Sequence, residues 1–477
     1  MKNNAIKYIF GGCLTLVASS TIAQNGYEQK RTDKRPNIIL ILADDMGREC
    51  LGTYGSSYNT PNLDRLAEQG IKFQNGFSQP LSTPSRVQLM TGRYNNKNYS
   101  RFEFLNQTET TFANLAKDAG YTTMITGKWQ LGMNKDLPKH FGFENYCLWN
   151  LNYKKQVKER YAGALIEQDG KIKLYDMDEY GPDIFSDYLL NFMESNKDRP
   201  FLAYYPMVLT HDPFYPTPDT ENWSESDEAR LVADNKNFPK MVEYTDKIVG
   251  KILKKLDQLK LTDNTIIIFV GDNGTARYIE VPMKDGSIVK GGKGMTKDTG
   301  VRVPLIVNWG KWKYKNHICN DMIDFSDFLP TLAEAMEIKV PEKLDIDGQS
   351  FLPQIKGEKG KAREWVFCHY NPLQAHKDAI VNKFAGRFFR DLRYKLYSDG
   401  RFFDTVNDPD EQSPIEQGKG SKDAESSRMK LAKLYNTMPI WQVGDLPVPA
   451  YVLPQYPLRD VKQAIDLDYI LKNYENL

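Results

Sequence analysis

The chain has 477 residues, 40% hydrophobic and 26% charged, which suits a large globular domain with a smaller one beside it. With 63 Lys and Arg against 62 Asp and Glu, the net charge is +1. That balance gives no reason to expect nucleic acid or an anionic membrane as partner, while leaving local positive charge available for an anionic substrate.

The first residues read as a targeting segment. Lys2 and Lys7 flank the start of an apolar stretch, Ile6 to Ala18, and small residues lead to Thr21-Ile22-Ala23. This is the pattern of a signal peptide spanning 1–23, cut after Ala23, and its apolar run is too short to cross a bilayer. Cys13 could be an acylation site, but the preceding Phe10-Gly11-Gly12 fits that poorly. No other stretch is long and apolar enough for a membrane helix, so the mature chain is expected to be exported, periplasmic or extracellular. Cys50, Cys147, Cys319 and Cys368 remain, widely spaced and without a CxxC pair, which excludes a zinc knuckle. Export permits disulfides, and buried free thiols are an equal reading.

Strands and helices then alternate. Asn37 to Ala43 is an almost continuous apolar run, as a strand buried on both faces requires. Tyr121 to Thr126, Phe201 to Leu209, Thr265 to Val270 and Leu305 to Asn308 are further strands. Helical patterns cover Asn62 to Glu68, Thr111 to Ala119, Ile184 to Ser195, Met241 to Leu259 and Phe325 to Met336. The alternation predicts an α/β fold, a large mixed and mainly parallel sheet sandwiched by helices, over 24–360. A smaller α+β part is expected over 361–477. There, Glu364 to His369, Ala379 to Val381, Gly386 to Phe389 and Tyr394 to Tyr397 suggest an antiparallel sheet, and the polar stretch Asn407 to Lys422 reads as a surface loop.

The chemically capable residues fall at strand ends. Asp44-Asp45 follow the first strand, Lys128 the second, His211 the third and Asp272-Asn273 the fourth. Open α/β sheets build sites at the carboxyl ends of their strands. Each group alone reads better as a cap or turn. Four strands delivering them to one edge favours a site. Carboxylate and amide oxygens suit a hard cation such as calcium or magnesium, whereas zinc or iron would want imidazole or thiolate.

Ser82-Thr83-Pro84-Ser85-Arg86 carries the strongest local signal. Pro84 fits the first turn of a helix, which places Ser82 at a helix N-terminus that favours an anion, with Arg86 one turn on along the same face. An N-cap serine before an ordinary amphipathic helix is the plain alternative.

These residues resemble the type I sulfatase signature, Cys or Ser followed by X-Pro-Ser-Arg and later Thr-Gly, here Thr91-Gly92. The resemblance runs from about residue 35 to 411. It takes in Arg35-Pro36-Asn37 through Asp44-Asp45-Met46-Gly47, Thr60-Pro61-Asn62-Leu63-Asp64, Gly127-Lys128-Trp129, Gly271-Asp272-Asn273-Gly274, Gly292-Lys293-Gly294, Gly300-Val301-Arg302-Val303-Pro304 and a C-terminal Asp-Pro-x-Glu turn within Asp404 to Glu411. The chain departs from the family at Gln130, where many members carry a histidine. It departs again at Lys297-Asp298-Thr299, where Glu-Gly is common.

The resemblance implies a formylglycine at position 82, made from serine by an oxygen-independent maturase, and a calcium ion held by Asp44, Asp45, Asp272, Asn273 and residue 82. It implies sulfate-ester hydrolysis with Lys128, Lys293 and Arg86 offsetting negative charge and His211 as acid to the leaving alcohol; Lys128, His211 and Lys293 would also bind substrate. The implied substrate is a sulfated carbohydrate from glycosaminoglycan, mucin or algal polysaccharide. Tyr94, Asn98, Tyr99, Arg101, Asp212, His369 and Asn371 are further pocket candidates, for each of which a structural role is the stronger reading. Two competitors come from other classes. A phosphatase or phosphodiesterase would use Ser82 directly but wants several His beside Asp, and a catalytically dead glycan-binding protein would leave Ser82 unoxidised.

Overall fold

The computed structural model describes residues 33–100, 102–149, 151, 159–370 and 386–438. The expected signal peptide, Cys13, Arg101, Asn371, the expected strand Ala379 to Val381 and the segment 439–477 lie outside the described residues.

Ten strands form one sheet: β1 Asn37–Ala43, β2 Ile71–Phe77, β3 Thr122–Lys128, β4 Asn145–Trp149, β5 Leu165–Gln168, β6 Lys171–Leu174, β7 Phe201–Pro206, β8 Thr265–Gly271, β11 Arg302–Trp309 and β12 His317–Asp324. Between them in sequence, β9 Glu280–Pro282 and β10 Ile288–Lys290 make a separate two-stranded ribbon. The large sheet has the order β12-β2-β11-β8-β1-β7-β3-β4-β5-β6. Its centre, β8-β1-β7-β3-β4, is parallel throughout, while β11, β5 and β6 run antiparallel to their neighbours.

β1 explains why the sheet is covered on both faces. Ile38, Leu40 and Leu42 enter one apolar core, with the helices Ser82–Thr91, Phe112–Asp118 and Phe328–Ala335. Ile39, Ile41 and Ala43 enter another, with the helices Pro61–Glu68, Gly181–Ser195 and Phe238–Gln258. A strand sandwiched in this way has no polar face, hence its unbroken apolar sequence.

A second sheet is four-stranded and antiparallel: β13 Val366–Tyr370, β14 Gly386–Arg390, β15 Tyr394–Tyr397 and β16 Phe402–Asp404. One face packs Val366, Cys368, Tyr370, Phe388 and Tyr397 against Phe77, Leu81 and Val301 of the part built on the large sheet. The other packs Phe367, Phe389 and Leu396 against Leu431 of the helix Lys422–Tyr435. The polar stretch from Asn407 is thus not wholly a surface loop. Lys422 starts that helix, and the Glu411 side chain is 5% exposed against Lys395.

Two strand ends differ from expectation. Lys128 is the last residue of β3 rather than a residue beyond it, because the strand continues in register with β4 through Lys128↔Trp149. β7 ends at Pro206 rather than Leu209. Beyond it the chain crosses the end of β1 irregularly, with Met207 N–H donating to Leu42 O, Asp44 N–H to Leu209 O and Thr210 N–H to Asp44 O. Cys50, Cys147, Cys319 and Cys368 are all buried free thiols. No helix among the described residues is long and apolar enough to cross a membrane.

Candidate active site

The parallel strands β8, β1, β7 and β3 are neighbours, and their carboxyl ends meet at one edge. Asp44 and Asp45 leave β1, Asp272 and Asn273 leave β8, Lys128 ends β3, and His211 lies five residues beyond β7. The two acidic pairs interlock. Asp45 N–H donates to Asp272 Oδ1 at 3.0 Å, and Asn273 Nδ2 donates to Asp45 Oδ1 at 2.8 Å. Asp45 takes the left-handed conformation, φ 58°, which Asp tolerates better than most residues and which aims its side chain toward β8. Gly127, φ 111°, is tighter still: a Cβ there would lie 2.0 Å from Pro206 O, so only glycine lets β3 pass β7 just before Lys128.

Ser82 opens the helix Ser82–Thr91, with Leu81 in the N-cap place. Its hydroxyl donates to Asp44 Oδ1 at 3.0 Å and lies 3.3 Å from Asn273 Oδ1. Arg86, one turn on, donates from Nη1 to Lys128 O at 3.0 Å and from Nη2 to Asp272 Oδ2 at 3.3 Å. Lys128 Nζ contacts Asp44 Oδ2 at 2.7 Å, and Lys293 Nζ contacts Asp45 Oδ2 at 2.5 Å. Three buried carboxylates are therefore faced by three cations drawn from three separate segments. Lys293 stands on a loop pressed against β8's end, where a Cβ on Gly274 would fall 1.8 Å from Thr299 O.

The charges shift one another. Burial alone would raise the Asp44 carboxyl, yet Lys128, His211, Arg86 and Lys293 hold it well below the usual carboxylate range. Burial, with the Asp44 charge beside it, pushes Asp272 up to about 7. Burial and the Lys293 ammonium lower His211, which favours its neutral ring. Lys293 is raised despite burial, by Asp45 and then Asp212. The His211 ring is fully engaged. Nδ1 lies 2.6 Å from Asp212 O and 2.9 Å from Asp212 Oδ1, and Nε2 lies 3.0 Å from Lys293 Nζ. An N–H at Nδ1 satisfies both acceptors of Asp212, so Nε2 carries the lone pair that Lys293 donates to.

Asp44, Asp45 and His211 each offer a ligand atom within 4.8 Å of the others. The single lone pair of the His211 ring is already taken by Lys293, whereas the carboxylate and amide oxygens of Asp44, Asp45, Asp272 and Asn273, beside residue 82, each keep a second lone pair to offer. That set fits a hard divalent cation. It also fits an oxidised side chain at 82, whose oxygen would stand where the Ser82 hydroxyl meets Asp44 and Asn273.

Other candidates are placed elsewhere. The Tyr94 hydroxyl accepts from Arg363, and its ring packs on Phe367, away from Ser82. Asn98 donates to Thr91 Oγ1 at the helix end, Tyr99 is buried in the core, and His369 accepts from Arg387 within the small sheet. Asp212 does join the site, through His211. Two residues went unread in the sequence. Tyr161 donates to Val208 O and His211 O, fastening the loop that carries His211. Glu103 accepts from Gln130 Nε2 at 3.2 Å while its own N–H donates to Thr83 Oγ1, beside Ser82. Neither carries a local pattern that would have announced it.

A family model described as Sulfatase matches residues 36–338, and one described as N-sulphoglucosamine sulphohydrolase, C-terminal, matches residues 292–437. The chain is 26% identical over 500 residues to the steryl-sulfatase of Homo sapiens, covering 80% of this chain and 84% of that protein. It is 28% identical over 418 residues to the N-acetylgalactosamine-6-O-sulfatase of Bacteroides thetaiotaomicron, covering 70% and 79%. A solved structure of Ps i-CgsB in complex with k-i-k-neocarrahexaose aligns with a TM-score of 0.68 at 25% identity, over 84% of this chain and 92% of that one.

Proposed function

The chain belongs to the sulfatase family, and from that premise we propose that it hydrolyses sulfate monoesters on carbohydrate, with its nucleophile derived from Ser82 beside a calcium ion. The observation that carries the reading is the Ser82 hydroxyl itself, at a helix N-terminus and within hydrogen-bond reach of oxygens from both strand-end pairs. Asp44, Asp45, Asp272 and Asn273 would hold the calcium ion, which would supply a Lewis acid for sulfate, and residue 82 in its oxidised form would supply the attacking oxygen.

The chain's own residues do the rest. Arg86 bridges Lys128 O and Asp272, which fixes the helix start against the sheet edge. Lys128 and Lys293, held against Asp44 and Asp45, offset the charge of sulfate oxygens, in a setting where burial strengthens each contact. His211 Nε2 is the point from which a proton reaches the leaving alcohol, with Asp212 holding the ring from Nδ1 and Lys293 at Nε2 as the adjacent proton source. Gln130, at the position where the resemblance to the family leads one to expect a histidine, donates to Glu103, whose N–H is tied to Thr83 beside residue 82.

A carbohydrate substrate draws support from the two sugar-related relatives above. With it go export through the segment 1–23 and a maturase that oxidises serine. The division into a catalytic part, 24–360, and a smaller part, 361–477, is part of the same proposal. The test is a panel of sulfated mono- and disaccharides assayed beside phosphate monoesters. Sulfate release from a sugar without phosphate release supports the reading. Phosphate release with Ser82 unmodified would replace it with a phosphatase, and neither product would leave a glycan-binding protein.

A further inference from the structure

Two sequence features take no part in the chemistry at residue 82: the turn Asp408-Pro409-Asp410-Glu411, and Lys297-Asp298-Thr299 ahead of Gly300. In the structure they meet. The face of the small sheet that carries Arg390, Lys395 and Tyr397 lies against the loop leading from Lys293 to Val301. Lys395 Nζ donates to Thr296 O at 2.6 Å and to Glu411 Oε1 at 2.6 Å. The Tyr397 hydroxyl lies 3.0 Å from Thr296 Oγ1 and donates to Glu411 Oε2 at 2.6 Å. Arg390 pairs with Asp298, and Lys395 lies 3.9 Å from the same carboxylate. On its other side the loop is tied by Lys293 N–H to Thr275 O at 2.9 Å and by Gly294 N–H to Pro80 O at 2.8 Å, two residues before Ser82.

These charges are deeply placed: the side chains of Lys395, Arg390, Glu411 and Asp298 are 0%, 2%, 5% and 14% exposed. Two cations against two anions balance, but burying four charges is a poor way to gain stability, since desolvation offsets much of the attraction. What such a cluster does secure is one geometry, because every donor needs its own acceptor. Lys293 needs that geometry. Its ammonium sits at the end of a flexible stem and must meet Asp45 Oδ2 and His211 Nε2 together. The same sheet face also reaches the Ser82 side, where Cys368 Sγ donates to Gln79 Oε1 and Gln79 N–H donates to Ser85 Oγ.

We propose that the C-terminal sheet is a positioning device for Lys293: Tyr397, Lys395 and Glu411 clamp the loop through Thr296, and Arg390 does so through Asp298. None of them touches substrate. The inference rests on the reading that Lys293 acts in the reaction.

Tyr397→Phe tests it with least disturbance, because it removes two hydrogen bonds and no charge. On whichever sulfated sugar the wild type turns over fastest, kcat falls roughly tenfold to hundredfold, the range a small misplacement of a reacting group produces. KM changes little. The loss disappears in a Lys293→Ala background, so that the double variant is as fast as Lys293→Ala alone. Phe389→Leu, on the opposite face of the same sheet, lowers the melting temperature and leaves kcat unchanged. Should Tyr397→Phe not fold, Thr296→Val removes the same hydroxyl contact from the loop side and carries the same expectations. An equal loss in both backgrounds, or no loss beside a crippled Lys293→Ala, overturns the clamp. Full turnover by Lys293→Ala instead overturns the role given to Lys293, and the clamp with it.

Discussion

Replacing His211 by Ala gives the sharpest view of the proton-transfer step. The ring is held at both ends, by Asp212 at 2.6 and 2.9 Å and by Lys293 at 3.0 Å, and its side chain is 20% exposed. Lys293 keeps its 2.5 Å contact with Asp45 when the ring is gone, so the cation stays in place and mainly the proton path is lost. Loss of a positioned acid costs roughly 10²–10⁴-fold in rate, or about 3–5 kcal/mol of barrier. The cost depends on the leaving group. A sugar alcohol leaves poorly without a proton, and a nitrophenolate leaves well. His211→Ala should therefore cripple hydrolysis of a sugar sulfate while slowing an activated aryl sulfate far less, if the enzyme accepts one. Asp212→Asn should cost about tenfold, or about 1.4 kcal/mol, because the Asp212 main-chain carbonyl still holds Nδ1. The assay is steady-state kcat/KM on both substrate types. Equal losses on the two for His211→Ala would refute the assignment, making His211 a sulfate-binding group and Lys293 the acid.

Exhaustive chelation should abolish turnover, with calcium restoring it and zinc not, measured by sulfate release after dialysis; full activity without metal would overturn the ligand set of Asp44, Asp45, Asp272 and Asn273. Calcium affinity should fall as pH drops below about 7, where burial keeps a proton on Asp272 that the ion must displace, by about tenfold per pH unit for one proton. The metal-free protein has the opposite trend from this group. Its raised carboxyl contributes stability that is complete below the ordinary carboxylate range and lost as pH rises through about 7; calorimetry across pH reads both. Arg86→Ala removes a cation 1% exposed, and Asp272 then takes up a proton rather than staying charged, so it should cost about 1–3 kcal/mol without calcium and distinctly less with it, by thermal unfolding. Gln130→Ala should be mild and indifferent to the leaving group, since glutamine only orients or hydrogen-bonds; a loss confined to sugar sulfates would point to a proton role shared with Glu103.

What could be read from the sequence follows from burial. β1 and β8 are sandwiched on both faces, so Asn37–Ala43 and Thr265–Gly271 show as continuous apolar runs, and the acids after them mark the sheet edge. β2 and β12 escaped because Lys72, Gln74 and Asn320 interrupt their patterns, and β6 because every one of its residues is exposed at the sheet's margin. The helix Lys422–Tyr435 was lost beside a polar stretch, although Leu431 anchors it to the small sheet. Pairings across long sequence distances leave no local trace. Nothing near His211 shows that Lys293 will meet its Nε2, nor anything near Thr296 that Tyr397 will hold it. Those contacts belong to the loops, which the sheet order brings together.

Residue 82 carries the proposed chemistry. The protein should be expressed with and without a serine-oxidising maturase, the peptide holding residue 82 weighed, and sulfate release from a sugar sulfate measured on the same samples. With the maturase the peptide should be two hydrogens lighter than the serine form, and turnover should rise in proportion to the converted fraction and be absent without it. Full sulfatase turnover by protein whose residue 82 is unmodified serine would contradict that chemistry.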